Sequence, residues 1–319
     1  MRILCDWVDE IKHYNLGETR LSVLRELCQK NGAYFELCQP ELLTYADNEV
    51  VAYIGNRFDV RLLDNFPNIR WVHFGSIGTD RLPIEAARSS GIKVTNSKGI
   101  FEYSVALHAI YLLLNSKYFD LTTYNFTRRD WEQSNPQKLF GQNIFVLGTG
   151  LIAQLIYSLL ERMGLNVKVV GREGSQLQKS EQFDFRLHSN LQDFCCEHSI
   201  LINALPLTQS TKGMINGEYL DKFDFIACYV NVGRKETEDL GDIIDRLRRG
   251  RVGYAAWDVI RDNCIARSLS SEFSEKVLFT PHIAAFHVDH WPHSMQLVEE
   301  NLIKFFSDNM SSMRNSCYV

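Results

Sequence analysis

The chain lacks an apolar run long enough to cross a membrane. Its best candidate, Val105 to Leu114, is too short and contains His108. It also lacks an excess of positive charge. With 34 Lys and Arg against 39 Asp and Glu, the net charge of -5 argues against a nucleic-acid partner, because phosphate binding needs a basic face. Zinc-site spacing is missing among Cys5, Cys28, Cys38, Cys195, Cys196, Cys228, Cys264 and Cys317. Cys195 and Cys196 are adjacent, which suits neither a metal site nor an ordinary disulfide. Reduced, cytosolic thiols are the expected state. The opening MRILCDWVDE has no signal-peptide layout and reads as a first strand. No internal repeat or low-complexity tract occurs. What remains is a globular composition, 45% hydrophobic and 23% charged, in 319 residues, enough for two domains of ordinary size.

The most informative stretch runs from Gln142 to Glu173. A short apolar run, Ile144 to Leu147, meets Gly148, Thr149, Gly150, Leu151, Ile152 and Ala153. An amphipathic segment follows, then a second apolar run, Val167 to Val170. Strand, glycine turn, helix and strand in that order form the first unit of a dinucleotide-binding fold. Gly148 permits the tight turn. Gly150 lets a pyrophosphate approach the backbone at the helix N-terminus, where free N–H groups and the dipole favour anions. Ala153 takes the third small position, where helix and strand pack closely.

Strand and helix patterns alternate along the whole chain, which predicts α/β layering. Candidate strands are Arg2–Cys5, Val50–Ile54 and Arg70–Phe74 at the front, with a helix at Arg20–Lys30. After the turn Asn96 to Gly99, Ser104–Leu114 is a helix apolar nearly all round. Such a helix must be buried, in the core or against another subunit. Thr127–Phe140 is polar and loop-like. Later strands are expected at Ile200–Ala204, Phe225–Asn231, Tyr254–Val259 and Val277–Thr280, with helices at Glu238–Arg249 and Leu297–Phe306. The glycine motif lies mid-chain, so the economical arrangement inserts a nucleotide domain into another.

Three later elements carry groups suited to chemistry. Asn231-Val232-Gly233-Arg234 is a strand end running into a turn, at the sheet edge where ligands of doubly wound folds bind. Arg234 offers a permanently charged fork matched to a carboxylate, or else caps a loop. Thr280-Pro281-His282 presents a histidine from a constrained turn; histidine moves protons near neutral pH, though beside a proline it is often structural. Asp258 ends an apolar strand, where it either accepts a hydrogen bond from a nicotinamide carboxamide or caps the following turn.

Together these motifs resemble the D-isomer-specific 2-hydroxyacid dehydrogenases, the glyoxylate/hydroxypyruvate reductase branch in particular. The likeness covers nearly the whole length. It includes Phe74 to Asp80, Gly91 to Asn96, Ser104 to Ala106, the glycine turn, Leu205 to Thr208 with Thr211, Asn231 to Arg234, Trp257 to Val259 and Thr280 to His282. The resemblance implies two doubly wound parallel-sheet domains. A Rossmann NAD(P)-binding domain (97–285) would be inserted into a discontinuous flavodoxin-like substrate domain (1–96 and 286–319). It implies that Arg234 holds the carboxylate and carbonyl of a small 2-oxo acid. His282 would protonate the carbonyl oxygen as hydride arrives, and Asp258 would lie near the nicotinamide. Gly148 to Ile152, Arg172, Leu205, Pro206, Thr211 and Val232 would bind the cofactor. Amides around Ser76 and Ile77 would complete the carboxylate site. Arg57 either faces the cleft or is a solvated strand-end arginine. Tyr53, Trp291 and His287 are further candidates to shape the substrate pocket. A cytoplasmic homodimer joined through 104–114 is also implied.

The chain departs from this family at one important place. The glutamate that usually pairs with the histidine falls five residues after the aspartate, and here that residue is Asn263, followed by Cys264 rather than proline. A carboxylate raises the histidine pKa and fixes its tautomer; asparagine orients the ring without the charge. Either Asp262 substitutes through a shift of one residue, or Asn263 serves as an amide orienter, or catalysis is lost and a cofactor-binding scaffold remains. Lys235 stands where glycine is usual, and Leu107 where an acid is common. The pattern His287, His290, His293 suggests a metal, but Pro292 is expected to interrupt the helix needed to align the rings, so no metal is expected. The second strand of the glycine unit ends in Gly171 and Arg172 rather than in the carboxylate that NAD enzymes place there for the ribose hydroxyl. Arg172 welcomes a 2′-phosphate, which favours NADP over NAD; Glu173 is the counter-argument.

Overall fold

The computed structural model describes residues 1–7, 18–39, 43–57, 59–79, 83–122, 141–193, 199–273, 276–286 and 290–317. The chain divides into two compact units, Met1–Phe101 with Phe286–Val319, and Glu102–Ala285.

The first unit is built on a five-stranded parallel sheet: β1 (Arg2–Cys5), β2 (Tyr34–Leu37), β3 (Val50–Gly55), β4 (Trp71–Phe74) and β5 (Lys93–Asn96), in the order β2-β1-β3-β4-β5. The central strand β3 is buried along its whole length, as befits a parallel strand covered on both faces. One face packs on helix α1 (Glu18–Lys30) and the C-terminal helix His290–Phe306, around Trp7, Trp71, Trp291 and Phe305. The other carries α2 (Arg61–Asn65) and α3 (Ile84–Ser89), with Tyr53, Phe66 and Ile69 beneath. Tyr53 and Trp291 are therefore core residues, not the pocket walls expected from sequence. Tyr53 is fully buried, and its hydroxyl is taken up by Asp6.

The second unit opens with the long helix α4 (Glu102–Thr122) and continues through β6 (Asn143–Leu147), α5 (Leu151–Arg162) and β7 (Asn166–Gly171). Then come β8 (Phe185–Leu187), β9 (Ser199–Asn203), α6 (Gly217–Leu220), β10 (Ile226–Asn231), α7 (Leu240–Arg248), β11 (Ala255–Trp257), α8 (Asn263–Phe273) and β12 (Val277–Phe279). All seven strands are parallel, in the order β12-β11-β10-β9-β6-β7-β8. The order reverses beside β6, which makes a switch point at its carboxyl end. Ala153, Ile156, Tyr157 and Leu160 recur at helical spacing and bury one side of α5 against the sheet.

Helix α4 buries Val105, Ala106, Ala109, Ile110, Leu112 and Leu113 in the core and leaves Tyr103, Leu107 and Tyr111, one turn apart, about half exposed in the single chain. Two expectations need correction. Helix α7 starts at Leu240 because Asp239 caps it, accepting from the Asp242 amide; Glu238 lies ahead of the cap and turns inward. The C-terminal helix starts at His290, so Pro292 sits in the first turn, where its missing N–H costs no intrahelical bond. His290 is buried against Phe101 and Trp291; His287 lies outside the described residues, as do Cys195, Cys196 and the 127–140 segment. Among the described residues no group of His, Cys, Asp or Glu is arranged to hold a metal ion, and no helix is long and apolar enough to cross a membrane.

Candidate active site

Four turns meet at the carboxyl edge of the seven-stranded sheet. The first follows β6. Gly148 adopts φ +114°, and a Cβ there would lie 3.0 Å from the Ala204 carbonyl, so glycine is required on both counts. Gly150 stands at the N-cap of α5 in extended conformation, and a Cβ added there would meet nothing within 4 Å. The first bond of the helix runs from the Gln154 amide to the Gly150 carbonyl, so the amides of Leu151, Ile152 and Ala153 have no partner inside the helix. Open space before three helix-end amides fits a pyrophosphate. The Thr149 carbonyl accepts from Gln154 Nε2, which fixes the turn.

The second turn follows β9. Asn203 holds the Leu205 amide, and Thr211 Oγ1 donates to the Pro206 carbonyl at 2.6 Å while accepting from the Thr208 amide. The third follows β10. Asn231 Oδ1 accepts from the Gly233 amide, and the Val232 amide donates to the Asn203 carbonyl. A Cβ on Gly233 would lie 2.6 Å from the Leu205 carbonyl, so the turn that carries half-buried Arg234 lies tightly on its neighbour.

The fourth turn carries His282, which is half-buried and adopts φ +59°, a left-handed conformation uncommon outside glycine and asparagine. Asp258, 3% exposed, explains how it is held. Its Oδ1 accepts from Thr280 Oγ1 at 2.6 Å and from the Ile283 amide at 2.8 Å, and its Oδ2 from the Ala284 amide at 3.0 Å. Asp258 thus caps the turn, one of the two roles open to it on sequence. Thr280 spends its proton on Asp258, so His108 Nε2, 2.9 Å from the same hydroxyl, must be the donor in that pair. Burial lowers the His108 pKa, opposed by the nearby Asp258 charge. Sequence reading missed His108 because it appeared only as an interruption of an apolar helix.

Backbone bonds tie the third and fourth turns to one edge. The Asp258 amide donates to the Asn231 carbonyl and the Thr280 amide to the Trp257 carbonyl. Asp262 stands ahead of α8, its Oδ1 accepting from the Cys264 and Ile265 amides as an N-cap; Asn263 is the first helical residue, and both are exposed. At the end of β7, a Cβ on Gly171 would lie 2.5 Å from Thr149 Cγ2 and 2.8 Å from the Phe185 ring. A side chain at that position would have to displace Thr149 and Phe185, and Arg172 and Glu173, both exposed, are the first that project beyond the strand.

In the first unit, Arg57 is exposed just past β3, and its amide donates to the Tyr53 hydroxyl. Buried Asp6 accepts from that hydroxyl and from the Asn56 amide, and burial raises its pKa. Ser76 and Ile77 follow β4, their carbonyls held by the Ser97 amide and by Asn96 Nδ2.

The sequence profile for the D-isomer specific 2-hydroxyacid dehydrogenase, NAD binding domain, matches residues 110–284. A glyoxylate reductase from Pyrococcus furiosus is 28% identical over 268 residues, 80% of this chain and 78% of that protein. The crystal structure of an NADPH-dependent glyoxylate/hydroxypyruvate reductase from Sinorhizobium meliloti, in complex with NADP and malonate, is similar at a TM-score of 0.75 and 26% identity, covering 99% of this chain and 96% of that one. An NAD+-bound 3-phosphoglycerate dehydrogenase from Entamoeba histolytica shares the fold at a TM-score of 0.76 and 17% identity, over 100% of this chain and 99% of that one.

Proposed function

Because the chain belongs to the D-isomer-specific 2-hydroxyacid dehydrogenase family, we propose that it is an NADPH-dependent reductase of a small 2-oxo acid, of the glyoxylate or hydroxypyruvate type. The observation that carries this reading is the common origin of two turns. Those bearing Arg234 and His282 leave the same edge of one sheet and are linked through Asn231, Trp257 and Asp258.

When bound, the nicotinamide supplies the hydride. Arg234 grips the carboxylate and the carbonyl oxygen through a charged fork. His282 gives a proton to that oxygen as negative charge builds on it. Both interactions strengthen toward the transition state, which is where binding accelerates a reaction. Asp258 keeps His282 aimed. The imidazole is oriented by Asn263 or by the remaining oxygen of Asp262. The amides of Leu151 and Ile152 receive the pyrophosphate, with Thr149, Leu205, Pro206, Thr211 and Val232 around the nucleotide. Arg57, Ser76 and Ile77 bind the carboxylate end of the substrate. Arg172 meets the 2′-phosphate. The glycine at position 171 supports NADP over NAD, because the strand end offers no ribose-binding carboxylate and one placed there would have to displace Thr149 and Phe185. The exposed stripe Tyr103, Leu107 and Tyr111 supports a homodimer through α4, and the cysteines among the described residues form no disulfide, which suits a reducing, cytoplasmic setting.

The second reading is a nucleotide-binding scaffold. It is favoured by one observation: the neutral Asn263 at the usual glutamate position, beside an Asp262 engaged as a helix cap. Consumption of NADPH with a panel of 2-oxo acids separates the two. Tight nucleotide binding without turnover on any member of the panel would select the scaffold.

A further inference from the structure

Glu238 is a carboxylate in the interior, 8% exposed, with three hydrogen-bond donors around it. Its Oε1 accepts from Trp257 Nε1 at 2.8 Å. Its Oε2 accepts from Asn231 Nδ2 at 2.7 Å and from the Tyr229 hydroxyl. Asn231 and Trp257 are register partners on the adjacent strands β10 and β11. Each is the last residue of its strand. Beyond Asn231 lies the turn with Arg234, whose Gly233 amide Asn231 also holds. Beyond Trp257 lies Asp258, which holds the turn with His282. Thr237, next to Glu238, closes the arrangement from below. Its hydroxyl donates to the Arg234 carbonyl at 2.6 Å and accepts from Asn203 Nδ2 at 2.8 Å.

We propose that Glu238 is a positioning residue that binds the ends of β10 and β11 together and so fixes the Arg234 turn against the His282 turn. Hydrophobic packing alone would not require a carboxylate here, and a buried polar group persists only if its partners are satisfied. Each oxygen accepts from a different strand end, so the carboxylate is a two-sided clip. Glutamine keeps the shape but turns one acceptor into a donor, which must then face a donor of Asn231 or Trp257. Burial raises the Glu238 pKa to about 7, consistent with a group whose partners are neutral. The consequence for substrate handling rests on the reading of Arg234 given above; the clip itself does not.

The test is Glu238→Gln in the full chain, with amide hydrogen exchange and steady-state kinetics. Exchange is expected to quicken by about tenfold or more in both 231–235 and 280–284, while 148–153 stays as in the wild type. The Michaelis constant for the 2-oxo acid should rise about tenfold, with NADPH affinity held within about threefold. Trp257→Phe, which removes one donor and spares the Asn231 bond, should loosen 280–284 alone, and it serves if the glutamine variant does not fold. Unchanged exchange in either turn of Glu238→Gln, uniform loosening of the whole domain, or no change at 280–284 in Trp257→Phe would overturn the clip. An Arg234→Ala variant whose Michaelis constant matches the wild type would instead overturn the role of Arg234, and the exchange result would stand.

Discussion

Thr280 donates its hydroxyl to Asp258 at 2.6 Å, and this bond joins the end of one strand to the turn after the next. With the Ile283 and Ala284 amides on the same carboxylate, the chain on both sides of His282 is pinned. The left-handed backbone of His282 persists because its neighbours are held. Asp258→Ala should therefore destabilise the protein by about 3 kcal/mol, since it leaves buried donors without an acceptor. Urea unfolding checks the stability. Turnover of the folded fraction should fall by about 100-fold or more; turnover equal to wild type per folded molecule would remove Asp258 from the account.

Arg234→Lys keeps the charge but loses the planar fork. At a two-point site that exchange is not conservative, and kcat/KM for the 2-oxo acid should drop by about 100-fold. NADPH affinity, measured by fluorescence titration, should stay close to wild type.

Cofactor choice turns on Arg172. A charge-assisted contact to a phosphate contributes about 1.5–3 kcal/mol, so Arg172→Ala should lower kcat/KM for NADPH by roughly 10- to 100-fold. NADH should be affected far less. A wild type that strongly prefers NADH, unaltered by the substitution, would refute the NADP assignment.

Much of the second unit was legible in the sequence, because the features that define it are local. Gly148 and Gly150 lie between two apolar runs, and strand, turn and helix follow from spacing alone. The Asn231–Arg234 and Thr280–His282 turns were legible as strand ends. What sequence could not supply was which distant groups hold those turns. Glu238 read as a helix start because it precedes an amphipathic run; only the fold turns it inward beneath Asn231 and Trp257. Thr280 and His108 are separated by 172 residues, so their contact with each other leaves no periodic trace. Tyr53 and Trp291 misled for the opposite reason. Aromatic residues near strand and helix ends serve the core as readily as a pocket, and here they lie in the core.

The buried carboxylate also predicts a pH dependence. Glu238 goes from an ordinary value near 4.5 to about 7 on folding, so between those values the folded state binds more protons than the unfolded one. Stability from this group is complete below about pH 4.5 and is lost as pH rises to about 7. The difference in unfolding free energy between wild type and Glu238→Gln should change by about 3 kcal/mol across that window and level off above it. Chemical denaturation at closely spaced pH values measures it; a difference that does not vary with pH would contradict the buried protonation.

The most direct measurement is NADPH oxidation by the purified full chain, supplied in turn with glyoxylate, hydroxypyruvate and larger 2-oxo acids, beside Arg234→Ala and His282→Ala. The account predicts turnover of at least one small 2-oxo acid, faster with NADPH than with NADH, and a loss of about 1000-fold or more in each variant. Turnover that survives both substitutions, or a wild type that binds NADPH and reduces none of these acids, would contradict it.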